Sequence, residues 1–180
     1  LGDFPVHQIA IAILNCLNLN TNTEYIQSLA AKCMASFLNS HTRSTRALIE
    51  NGALDLILQS LNNSMNIETI EQLLRSTQII AEYRPDDLGN AVGLAPFLRV
   101  FQFVEESHRA NLFESPNQRS MFTRLIFHTI YLLTSQTFYD NYFDSLDGLI
   151  AAMNIEDQKS LEDATNSVLS IFSKLSSPIL

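Results

Sequence analysis

The sequence predicts an all-α chain, an α-solenoid of about four stacked helical repeats that wind as one right-handed superhelix through residues 1–180. Three observations carry this expectation. A unit of about 45 residues recurs: a small-residue turn, a short apolar helix, then a long amphipathic one. Apolar residues fall at helical spacing throughout, and no strand-like alternation breaks it. Glycines stand singly at the seams, as in Gly52-Ala53-Leu54, Gly93-Leu94-Ala95 and Asp147-Gly148-Leu149. The repeats span roughly 4–38, 44–83, 86–135 and 137–176.

Within the first repeat, Val6, Ile9, Ala10, Ile13, Leu14 and Leu17 mark a helix. Residues 18–23 (Asn-Leu-Asn-Thr-Asn-Thr) break it with turn formers, and Thr23 is placed to cap the helix that follows. That helix is expected to bury Ile26, Leu29, Ala30, Cys33, Met34, Phe37 and Leu38, leaving Gln27, Ser28, Lys32 and Ser36 polar. Residues 44–50 form a short helix ending at Asn51-Gly52, where glycine suits a left-handed cap. A helix over 53–61, a turn at 62–64 and a long helix complete the second repeat. The long helix carries its stripe on Ile67, Ile70, Leu73, Leu74, Thr77, Ile80 and Ala81. Glu71 and Arg75 lie one helical turn apart on its polar face. Pro85 ends it and pushes Arg84 toward extended geometry.

In the third repeat, residues 105–117 carry charges, His108 and Pro116, and are longer than the matching turns elsewhere, which predicts an exposed insertion. The helix after it, 118–135, is apolar around much of its circumference and is expected to be covered on two sides. The final helix reads as a face of Leu161, Ala164, Val168, Leu169, Ile171, Phe172 and Leu175. Leu74 and Leu169 sit in the middle of their stripes and are expected core positions. Cys16 and Cys33 fall on apolar faces and read as small buried hydrophobes in a reducing compartment, although sequence does not exclude a disulfide.

Composition narrows the function. With 19 acidic and 11 basic residues the net charge is −8, and the arginines are dispersed along the chain. A phosphate backbone would be repelled, so no nucleic-acid partner is expected. No apolar run reaches the ~20 residues that a membrane span needs, so no membrane partner is expected either. Opening at Leu1 and ending on Pro178-Ile179-Leu180 is expected of a piece of a longer protein.

Catalytic chemistry has little support. The four histidines (His7, His41, His108 and His128) stand in different contexts, without CxxC, HExxH or calcium-loop spacing, so no metal is expected. No glycine-rich phosphate loop, nucleophile elbow or cysteine–histidine pairing occurs, so no cofactor or catalytic residue is assigned. Asp86-Asp87 and Glu105-Glu106 are paired carboxylates in connectors, where solvated loops are the ordinary reading.

What remains is surface. The polar faces of the long helices carry Gln72 and Arg75, then Arg124, His128 and Tyr131, then Asn166. Read plainly these are solvated faces; read functionally they line a concave groove for a protein or peptide. Tyr131, Phe127 and His128 would then form its best anchor, because aromatics and arginines dominate binding hot spots.

Several short segments run in a recognisable order: Phe4-Pro5-Val6, Glu71-Gln72, Gly93-Leu94-Ala95, Phe101-Gln102-Phe103, Gln118-Arg119, Asp144-Ser145-Leu146 and Asp157-Gln158-Lys159-Ser160. With the turn-glycine-helix units, they make the chain resemble the armadillo-repeat region of HECT ubiquitin ligases of the ubiquitin-fusion-degradation, or KAKTUS, class. The resemblance extends over nearly the whole chain. It implies an armadillo solenoid that recognises substrate or acceptor ubiquitin, in the cytoplasm or nucleus, with the catalytic cysteine in a distant HECT domain. This chain departs from the pattern in the length of 105–116 and in carrying Phe122, Leu125 and Phe127 where the family has small residues. Nuclear-import armadillo proteins resemble it less, since their grooves use tryptophan and this chain has none. The alternatives are an armadillo scaffold unrelated to ubiquitin and, with no constellation to support it, an all-helical enzyme.

Overall fold

A computed structural model describes residues 4–18 and 22–175. Among these residues there are ten α-helices, two short 3₁₀ segments and no strand. Part of the expected turn at 18–23, and the expected helix end at Ser176, lie outside the described residues. The chain divides into two compact units, Leu1–Arg84 and Pro85–Leu180. The division falls at Pro85, the proline expected to end the second repeat.

The first unit holds α1 (Val6–Leu17), α2 (Glu24–Ser40), α3 (Ser44–Glu50), α4 (Ala53–Asn63) and α5 (Ile67–Tyr83). Its caps follow residue chemistry. The Thr23 hydroxyl accepts from the Ile26 amide at 3.4 Å, and Asn66 Oδ1 accepts from the Thr69 amide at 3.0 Å. Helix α2 packs against both α1 and α5. Leu17, Met34, Leu48, Ile57, Leu61, Leu73 and Leu74 are fully buried. Helix α5 buries the expected stripe from Ile70 to Ala81, together with Thr69 and Ser76.

Helix α2 is turned from the expected face. It buries Gln27, Ala30, Ala31, Met34, Ala35, Phe37 and Leu38, while Ile26, Leu29 and Cys33 are exposed. Wedged between two helices, it buries three alanines along with Met34, Phe37 and Leu38. Cys16 is also exposed, so neither cysteine is the buried hydrophobe its apolar surroundings implied. The turn expected at 62–64 begins later, because α4 continues through Asn63.

The second unit holds α6 (Pro85–Ala91), α7 (Ala95–Arg109), α8 (Pro116–Gln136), a 3₁₀ segment at Asp140–Ser145, α9 (Leu146–Ala151), a further 3₁₀ turn at Ala152–Asn154, and α10 (Gln158–Leu175). Helix α8 packs against α6, α7 and α10, which accounts for its apolar circumference. Asp86 and Asp87, expected in a connector, lie in the first turn of α6, where carboxylates suit the helix dipole. Proline at the first position of a helix is a start signal as well as a stop for the helix before it.

The segment 105–117 is mostly not a loop. Helix α7 continues to Arg109 and closes on a left-handed Asn111 (φ 55°), with the Leu112 amide donating to the Ser107 carbonyl at 3.0 Å. Helix α8 opens at Pro116, capped by Ser115. Only the short stretch between is irregular, and Phe113 within it stacks on Phe122 with ring centres 5.6 Å apart. Residues 108–112 and 114–117 are exposed as expected, but Glu105 is half-buried and Ser107 buried.

An internal recurrence is visible in the order of elements. A seven-residue helix, a left-handed glycine, a middle helix and a long helix occur as α3–Gly52–α4–α5 and again as α6–Gly93–α7–α8. Gly52 has φ 91° and Gly93 φ 70°, where a side chain would be strained. Gly148 does not repeat this role. It lies inside α9 and lets that helix approach Leu98, whose Cδ1 would stand 2.9 Å from an added Cβ.

Candidate recognition surface

The six residues read from sequence as a partner-binding face divide between the two units. Gln72 and Arg75 stand on α5. Glu71 gathers them: its Oε2 accepts from Arg75 Nε at 3.2 Å and from Gln72 Nε2 at 3.3 Å. The expected one-turn pair thus forms, worth about 0.3 kcal/mol at a half-exposed position.

Arg124, His128, Tyr131 and Asn166 belong to the second unit, on α8 and α10. The Arg124 fork is committed. Its Nε and terminal nitrogen donate to Asp157 at 2.8–3.1 Å, tying α8 to the residue that caps α10. Asp157 Oδ2 also accepts from the Ser160 amide at 3.1 Å and hydroxyl at 2.8 Å. These donors, Arg124 first, hold the Asp157 carboxyl down at about 2. The same bond raises Arg124 above its ordinary range.

One turn further along α8, His128 Nδ1 lies 3.4 Å from Asp163 Oδ2, and Lys159 Nζ lies 3.5 Å from its other oxygen. Asp163 is 2 % exposed, and its Oδ2 has no hydrogen bond among the described residues. The imidazole is near enough for attraction when protonated but is not aligned to donate. His128 and Tyr131 tilt together with ring centres 6.2 Å apart, while Asn166 is half-buried on α10. Phe127 is not an anchor. It is fully buried, with its edge against Phe101 at 5.0 Å. Ser167, beside Asn166 in sequence, is buried and donates to the Asp163 carbonyl.

The arrangement is one of polar side chains pairing along helix seams. Glu105 does likewise, accepting two bonds from Arg119 and raising that arginine above its ordinary range. Among the described residues no three histidine, cysteine or carboxylate groups are grouped to hold a metal. No helix there is long and apolar enough to cross a membrane.

Sequence reading missed the gathering of basic side chains around α3. Arg43, Arg46 and Arg84, taken as dispersed, line two adjoining hollows. Linear spacing hides Arg84, because it arrives at the end of α5. No protein-family model and no curated protein matches the chain.

Proposed function

We propose that the chain is a non-catalytic protein-recognition module, an armadillo-type solenoid serving a HECT-type ubiquitin ligase by capturing substrate or ubiquitin. The observation that carries the solenoid reading is the repeated short helix, left-handed glycine, middle helix and long helix. In each unit, moreover, the two longest helices pack on each other, α2 with α5 and α8 with α10. Repeats of this kind bury apolar faces against neighbours and leave polar long-helix faces for partners. The ubiquitin-ligase reading is supported by the ordered similarity of short segments from Phe4 to Ser160.

Gln72 and Arg75 on α5, and His128, Tyr131 and Asn166 on α8 and α10, are the proposed contacts. Arg124 contributes mainly by fixing α10. Titrating isotope-labelled ubiquitin with the chain should shift ubiquitin resonances, and Gln72→Ala with Arg75→Ala should weaken the effect without changing the melting temperature. In the full-length ligase the same pair should slow transfer to substrate while leaving thioester formation intact. An open reading frame without a HECT domain, together with unshifted ubiquitin, would overturn the ubiquitin reading in favour of an unrelated scaffold.

A further inference from the structure

The first unit carries a cavity of about 370 Å³ where the carboxyl ends of α2 and α5 meet the start of α3. Leu38, His41, Thr45, Arg46, Tyr83 and Arg84 supply the walls that matter. Arg46 also lines a second hollow, with Arg43 and Glu50. Three arginines, Arg43, Arg46 and Arg84, thus line the two hollows in a chain whose net charge is −8.

Arg46 has donors to spare. Arg46 uses Nε on Glu50 Oε1 at 2.7 Å, and its terminal nitrogens make no other hydrogen bond among the described residues. Thr45 is 8 % exposed and lines the cavity, where its hydroxyl adds a polar group to the wall. His41 is held in place beside them. Phe4 stacks on its ring at 4.5 Å, and the Arg43 amide donates to Nδ1 at 3.2 Å, which turns Nε2–H into the available donor.

We propose that this cavity binds a carboxylate presented by an acidic protein segment, with Arg46 and Thr45 as its donors and Leu38 and Tyr83 packing the stem. Tyr83 is 70 % exposed, an uncovered aromatic beside the charged donors. A guanidinium fork matches a carboxylate geometrically. A phosphate dianion fits less well. Glu50 already faces Arg46 and the negative ends of two helix dipoles lie at the cavity, so a second negative charge is repelled more than the single charge of a carboxylate. This site is separate from the polar faces of α5, α8 and α10, and it stands whether or not the chain serves a ubiquitin ligase.

Fluorescence polarisation of a labelled octaglutamate peptide, with octaglutamine as its neutral counterpart, tests it at low salt. Octaglutamate should bind and octaglutamine should not. Arg46→Gln should weaken binding about fivefold. Thr45→Val should weaken it about twofold and Thr45→Ser should restore it. Arg109→Gln, an exposed charge on α7, should leave it unchanged, and thermal melts of every variant should coincide with the parent. Equal binding of both peptides, or an equal loss in Arg109→Gln, would overturn the site as diffuse attraction. Displacement by inorganic phosphate at lower concentration than by acetate would overturn the carboxylate assignment.

Discussion

Helices α5 and α10 begin alike and end differently. Each is a long helix with an unbroken apolar stripe and an acidic or amide cap. Helix α5 buries its stripe, with Ile70, Leu73, Leu74 and Ile80 fully enclosed. Helix α10 buries a face centred on Ser160, Asp163, Ala164, Ser167, Val168 and Ile171, while Leu169 is 59 % exposed and Phe172 and Leu175 are exposed too. The cause is the partner. Helix α10 packs chiefly on α8, and serine and alanine supply half of its buried face. An apolar stripe therefore states which residues could be buried; the volume already occupied by the neighbour selects which are.

The sharpest test of that contrast is a pair of truncations. Leu74→Ala should cost about 2–5 kcal/mol in denaturant unfolding, because it opens a cavity in a fully enclosed site. If Leu74→Ala melted with the parent, the packing assigned to α5 would be wrong.

Close approach, rather than apolar content, should decide the second unit. A Cβ at Gly89 would collide with the Tyr142 hydroxyl and stand 3.2 Å from Thr137 Oγ1. Tyr142 is fully enclosed and bonded to Thr137 at 2.6 Å, and burial lifts its hydroxyl to about 12. Gly89→Ala is accordingly expected to lose about 1–3 kcal/mol by overpacking, measured by the same unfolding curves. An unchanged curve would show that the tyrosine moves aside freely.

The tie between α8 and α10 adds a pH dependence. Asp157 titrates lower in the folded chain than its ordinary value near 4, so its contribution is fully present above that value. It is lost as pH falls toward about 2. In melts between those limits, Arg124→Ala and Asp157→Asn should each flatten the acid loss of stability. An undiminished acid slope in both variants would locate the sensitivity elsewhere.

Smallest of all should be Leu169→Ala, within about 0.5 kcal/mol of the parent, as for an ordinary exposed position. A loss matching that of Leu74→Ala would restore the stripe first read for α10.

The sequence by itself determined most of the helices, though not α6 or the continuation of α7 to Arg109. Val6–Leu17 and Ser44–Glu50 match their expected bounds, and Thr23, Gly52 and Pro85 act where their chemistry places them. Such signals are local: hydroxyl to amide, absence of a Cβ, absence of an N–H. Only the tertiary structure decided the rotation of α2 and α10, the enclosure of Phe127 and the exposure of Cys16 and Cys33. It alone turned an expected contact residue, Arg124, into the partner of Asp157, and brought Arg84 to Arg46. Helical periodicity leaves a helix free to turn about its own axis by a residue's width. That freedom is removed by the shape of the neighbouring helix, which lies far away in sequence.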